Sequence, residues 1–123
     1  VIHRKEGAPV AVLHEVNGER LQLWRSAVAD RAIQVMEREH FPTIPRGMSV
    51  YLVVLFLLPR PLRPLNELPV TRPDLDKLTR AVMDALTTAG AYRDDAQVTD
   101  LVVRKRYAED HTGARIAVRG HAL

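Results

Sequence analysis

The sequence predicts an α+β fold, a small mixed β-sheet with two main helices packed on it, within one domain spanning residues 1–123. Three observations carry that prediction. Apolar residues recur at three- and four-residue spacing in two separate segments, the period of a helix with one buried face. Between them, "MSVYLVVLFLL" (residues 48–58) is β-branched and aromatic, and apolar on both alternating faces. Two further strand-like segments close the chain, giving the order helix, strand, helix, strand, strand.

Residues 1–17 are mixed, "HRKEG" followed by "APVAVLHEV", and fit either a short strand or an irregular arm. From Gly18 the pattern is helical, with Leu21, Trp24, Val28, Ala32, Val35 and Met36 on one face; Pro42 stops it near His40. Residues 48–58 read as a central strand covered on both sides and ended by Pro59. The next stretch, "PRPLRPLNELPVTRP", holds five prolines and three arginines, so residues 59–73 form an extended, semi-rigid loop. Loops of that length in a compact domain are often functional. Asp74 then stands where it can cap a second helix, whose stripe is Leu75, Leu78, Val82, Ala85, Leu86 and Ala89, and which Gly90 terminates. After the turn "AYRDDAQ", "VTDLVVRKRYA" reads as a strand, and "HTG" as a hairpin turn into a last strand, "ARIAVRG".

The totals narrow the class of function. A net charge of +3 favours an acidic partner, and zero cysteines exclude a disulfide framework or thiolate metal site. No apolar run approaches the roughly 20 residues that cross a bilayer, and no signal peptide is visible, so a cytoplasmic location without a membrane partner is expected. The chain opens on Val1 rather than methionine, which leaves room for a preceding segment.

Against this basic background, "RPDLDKLTRAVMDALTTAGAYRDDAQV" (residues 72–98) gathers Asp74, Asp76, Asp84, Asp94 and Asp95. Asp76, Arg80 and Asp84 fall at i, i+4 and i+8 beside the apolar stripe. If the helix end and the "RDD" turn lie side by side, three or four carboxylates converge. Bare carboxylates that close repel, and a hard divalent cation such as Mg²⁺, held by carboxylates, water and substrate phosphate, removes the conflict. Each residue also has an ordinary structural explanation. Asp74 and Asp76 suit a helix N-terminus, Asp76–Arg80 and Arg80–Asp84 suit surface ion pairs, and "DD" suits a turn. Taken singly, the structural explanation is favoured; taken together beside basic residues, the metal site is.

The basic residues supply a substrate for such a site. Arg60, Arg63 and Arg72 lie on the loop, Lys77 and Arg80 on the second helix, Arg93 in the turn, and Arg104, Lys105 and Arg106 on the following strand. Scattered cations of this kind bind a phosphate backbone without reading sequence, although for Arg104 and Arg106 individually a solvated face is the favoured explanation. Trp24 and Phe56 suit the core, and Tyr92 is the aromatic expected nearest substrate. The five histidines show no ligand spacing and are expected at the surface.

"RPDLDKLTRAVMDAL" followed by "YRDDAQV" and "RKRY" resembles the RusA family of Holliday-junction resolvases, over about residues 48–119 and most specifically over residues 72–98. The resemblance implies a homodimeric, Mg²⁺-dependent endodeoxyribonuclease, with Mn²⁺ as a substitute, that binds four-way DNA junctions and makes paired nicks in recombination and repair. It needs no small-molecule cofactor. It implies Asp74, Asp76 and Asp95 as metal ligands, with Asp94 sharing or supporting that role and Asp84 at a further acidic position of the family. The family's catalytic lysine falls on Arg80, which keeps the cation but cannot donate a proton, and its asparagine falls on Lys77, which could supply an ammonium. The family's opening strand and its basic glycine-containing loop are not recognisable in residues 1–13. The alternative is a DNA-binding accessory protein with a structural acidic cluster. A D-x-D nucleotide-sugar transferase ranks lower because no glycine-rich phosphate cradle is present.

Overall fold

The computed structural model describes residues 10–12 and 21–121. Their elements are β1 (Val10–Val12), α1 (Leu21–Glu39), β2 (Ser49–Leu58), α2 (Leu75–Ala89), a single 3-10 turn (Asp95–Gln97), β3 (Val98–Tyr107) and β4 (Gly113–His121). A short strand therefore forms at residues 10–12, where the sequence left strand or irregular arm open. Residues 1–9 and 13–20, which hold His3, His14 and the expected start of the first helix, lie outside the described residues, as do 122–123.

The four strands are ordered β1-β4-β2-β3, with β3 parallel to β2 and β4 antiparallel to both β2 and β1. The mixed sheet with two helices is as expected; the pairing of its last strands is not. β3 and β4 do not form a hairpin, because β2 lies between them. A turn signal such as "HTG" marks where the chain reverses, not which strand it rejoins. The crossing from one side of β2 to the other is about 10 Å, two inter-strand spacings. Residues 108–112 span it, and Ala108 N–H donates to the Leu58 carbonyl at 2.8 Å.

The apolar β2 takes the centre, but among the described residues the helices cover one face only. Val50, Leu52, Val54, Phe56 and Leu58 are buried, while Tyr51, Val53, Leu55 and Leu57 are half-buried. The first set forms one core with Trp24, Val28, Ala29 and Ala32 of α1 and Leu78, Val82, Ala85 and Leu86 of α2. Trp24 and Phe56, expected in the core, meet there with ring centroids 5.8 Å apart. Both helices thus pack on the same side of the sheet, a two-layer arrangement. Arginines border the opposite face: Arg104 and Arg115 flank Leu55 in register, and Arg119 lies beside Tyr51.

Helix α1 ends at Glu39, ahead of Pro42. His40 adopts φ 55°, and Phe41 N–H donates back to the Met36 carbonyl at 2.9 Å. Helix α2 ends at Gly90 as its sequence predicts, with φ 84° and its N–H on the Thr87 carbonyl. Since β2 and β3 are parallel, α2 must run back along the sheet. Its N-terminus lies near the end of β2 and its C-terminus near the start of β3.

Candidate metal and nucleic-acid site

At the N-terminal end of α2, Asp74 occupies the cap position with extended backbone, φ −72° and ψ 140°. Its carbonyl accepts the Leu78 N–H at 3.1 Å, but its carboxylate takes no capping hydrogen bond. Asp76, Lys77 and Arg80 are all exposed on the first turns. No ion pair joins Asp76 to Arg80 or Arg80 to Asp84; Asp84 reaches across to Arg25 of α1 at 3.6 Å. The capping and ion-pair explanations available to Asp74 and Asp76 are therefore not realised.

The loop that leads into this end is held by β3. Lys105, on the helix-facing side of β3 beside Phe56, points its ammonium at two loop carbonyls, Thr71 at 2.8 Å and Pro73 at 2.9 Å. Two residues on, the Tyr107 ring lies 5.0 Å beneath the Arg60 guanidinium. Two of the basic residues expected on DNA thus brace the two ends of the loop. Arg63 and Arg72 are exposed on it. Arg104 and Arg106 project from the sheet's other face, where Arg106 Nη1 donates to the Lys105 carbonyl at 2.8 Å.

The C-terminal end of α2 is built differently. Asp94 caps the 3-10 turn, accepting the Ala96 N–H at 2.9 Å. Gln97 completes the capping box: its side-chain oxygen accepts the N–H groups of Arg93 (2.7 Å) and Asp94 (2.9 Å). The Gln97 amide nitrogen donates to the carbonyls of Pro45 and Met48, fastening the turn to the start of β2. Asp95 accepts a hydrogen bond from the Thr87 hydroxyl in the last turn of α2. Arg93 is exposed beside them.

Tyr92 is not a substrate-facing aromatic. It is buried, and its hydroxyl donates to the Met83 carbonyl at 3.1 Å. Burial, with the negative charges of Asp95 and Asp84 adding to it, pushes its phenol well above the ordinary range. Its neighbourhood, not its place in an acidic stretch, decides its role. His40, His111 and His121 are at the surface as expected.

The N-terminal end of α2 and the "RDD" turn do not lie side by side; the turn adjoins the helix's C-terminal end instead. Thr87, which holds Asp95, is eleven positions after Asp76, about 16 Å along the helix axis at roughly 1.5 Å per residue. Among the described residues, no three acidic or histidine side chains come together to hold a metal. Within one chain the aspartates form two groups, Asp74–Asp76 and Asp94–Asp95, at opposite ends of α2. Sequence reasoning also missed Gln97, Thr87 and the β4 arginines. Strand alternation could have found the last: in "ARIAVRG", Arg115 and Arg119 share the face away from the core.

Residues 4–119 match the protein family described as Endodeoxyribonuclease RusA. The chain belongs to the RusA family. The match is longer than the stretch in which the resemblance is visible by eye, and it takes in β1. A 42-residue segment is 48% identical to the Bacillus subtilis (strain 168) protein YqaN, described as uncharacterized. That alignment covers 34% of this chain and 29% of YqaN. RusA membership makes nuclease chemistry on DNA the family's activity. No helix among the described residues is long and apolar enough to cross a membrane.

Proposed function

We propose that this RusA-family chain is a Mg²⁺-dependent, structure-selective endonuclease that acts as a homodimer and resolves four-way DNA junctions by paired nicks in recombination and repair. The observation that carries it is the α2 N-terminus. Two exposed carboxylates, Asp74 and Asp76, are engaged by neither cap nor ion pair and stand beside Lys77 and Arg80 at the mouth of an arginine-bearing loop. Such a pair fits Mg²⁺, which is commonly held by one or two carboxylates with water and substrate phosphate completing its shell. The ion would supply a water activated for attack and neutralise charge on the phosphodiester. The planar guanidinium of Arg80 suits a two-pronged phosphate contact, whereas Lys77 presents a compact ammonium beside the carboxylates.

Asp95 enters this scheme only from a second copy. Its place beside Thr87 keeps it away from Asp74 and Asp76 of its own chain, so the third ligand is Asp95 of the partner subunit. Asp94, already a cap, supports the turn that carries it.

The test is cleavage of a synthetic four-way junction and a matched linear duplex, with and without Mg²⁺. Paired nicks confined to the junction and to Mg²⁺ are expected. Asp76→Asn should abolish them while junction binding persists or tightens, because a charge repelling phosphate is gone; full cleavage by that variant overturns the assignment. The wide separation of the two aspartate groups also favours the alternative of a non-catalytic DNA-binding accessory protein. Binding without cleavage in Mg²⁺ or Mn²⁺ would select it.

A further inference from the structure

The loop at residues 59–73 carries a feature that the proposed chemistry does not use. Leu62 is 100% exposed and Leu65 81% exposed, with Arg63 between them. Scattered exposed leucines are ordinary, but two so bare on one short stretch are not explained by packing. Nor can the loop fold them inward. Prolines 59, 61 and 64 stiffen it, Arg60 and Lys105 brace its ends, and Pro69 is buried. The Asn66 side chain accepts the Leu68 N–H at 3.2 Å, closing a turn beyond the tip. The leucines are held outward before any partner arrives, which lowers the ordering cost of using them.

We propose that Leu62 and Leu65 form an apolar wedge that enters the unstacked bases at a DNA branch point, with Arg63 and Arg72 on the flanking phosphates. This rests on the branched-DNA reading above and says how the branch is told from a duplex. The occupant follows from charge and position. The loop has three arginines to one glutamate, and it runs directly into Asp74. DNA-bending proteins insert leucine or proline between base steps, and bases that have already lost stacking partners cost least to separate. A linear duplex lacks such a step.

The experiment uses a four-way junction with 2-aminopurine at the branch, in Ca²⁺ to hold cleavage off, and a matched duplex as competitor. The wild-type chain should brighten the probe and prefer the junction. Leu62→Ser/Leu65→Ser, altering only exposed side chains, should remove the brightening and lower the junction-to-duplex preference by about tenfold, the order expected when one leucine side chain loses its burial. A variant as selective and as bright as the wild type overturns the wedge and leaves the nuclease reading standing. A wild-type chain with no preference for the junction overturns both. If the variant instead turns a dimer into a monomer in sedimentation, the leucines bind a second copy and the wedge is wrong.

Discussion

At the N-terminal end of α2, Asp74 and Asp76 stand exposed with neither cap nor ion pair. Farther along the helix Asp84 pairs with Arg25, and at the C-terminal end Asp94 caps a turn and Asp95 accepts the Thr87 hydroxyl. The five residues look alike in sequence and differ in what surrounds them. A carboxylate already satisfied by N–H or O–H donors mainly stabilises the fold, while an exposed one at a helix N-terminus keeps its lone pairs for a cation. The distance between the groups carries a second lesson. Acids dense in sequence need not be dense in space, because a helix carries each successive residue about 1.5 Å onward.

The sharpest way to break this comparison is to ask whether the two groups serve one site across two subunits. Asp76→Asn and Asp95→Asn should each be inactive alone. Mixed and re-annealed in equal amounts, they should regain nicking. One site of each mixed dimer then carries both substitutions, while the other draws intact Asp74 and Asp76 from one chain and intact Asp95 from its partner. Random assortment makes half the dimers mixed, so about one quarter of all sites are restored. The products should be single nicks rather than paired ones. If both groups worked within one chain, no mixture would recover activity.

A smaller effect sharpens the structural half. Asp94→Ala removes a cap whose side chain receives the Ala96 N–H, and should cost about 0.5–2 kcal/mol in urea unfolding. Asp74→Ala removes a cap-position residue whose carboxylate makes no such bond, and should stay within about 0.5 kcal/mol. Equal losses at the two positions would refute the distinction between them.

Much of the fold was legible because it depends on local pattern. The stripes of α1 and α2 matched the helical period, and Gly90 ended α2 because φ 84° suits a residue without a side chain. The partners of β3 and β4 were not legible, since strand pairing is a contest among distant segments, and β2 took both neighbours. Nor could sequence show that one face of β2 is only half-buried, because Tyr51, Val53, Leu55 and Leu57 are apolar either way. At the site, the residue types were readable and their grouping was not. Lys105 and Arg60 read as phosphate contacts in the sequence, whereas the fold sets a carbonyl pair beside the first and the Tyr107 ring beside the second.

Tyr92 tests the structural end of α2 most finely. At neutral pH, Tyr92→Phe loses the hydrogen bond to the Met83 carbonyl, about 0.5–1.5 kcal/mol. The raised phenol pKa gives that loss a pH dependence. In the folded chain the phenol holds its proton more tightly than in the unfolded chain, where it ionises near the ordinary value of about 10. Its contribution is therefore fully present below about pH 10 and declines as pH rises toward the folded value, because the unfolded state ionises first. The phenylalanine variant lacks that contribution, so its deficit against the wild-type chain should narrow between about pH 9 and pH 11, one unit to either side of that value. A deficit that stays constant across that window would mean that Tyr92 ionises as readily in the folded protein as in the unfolded chain. The turn carrying Asp94 and Asp95 would then be open to solvent, and the contrast between the two ends of α2 would lose its structural half.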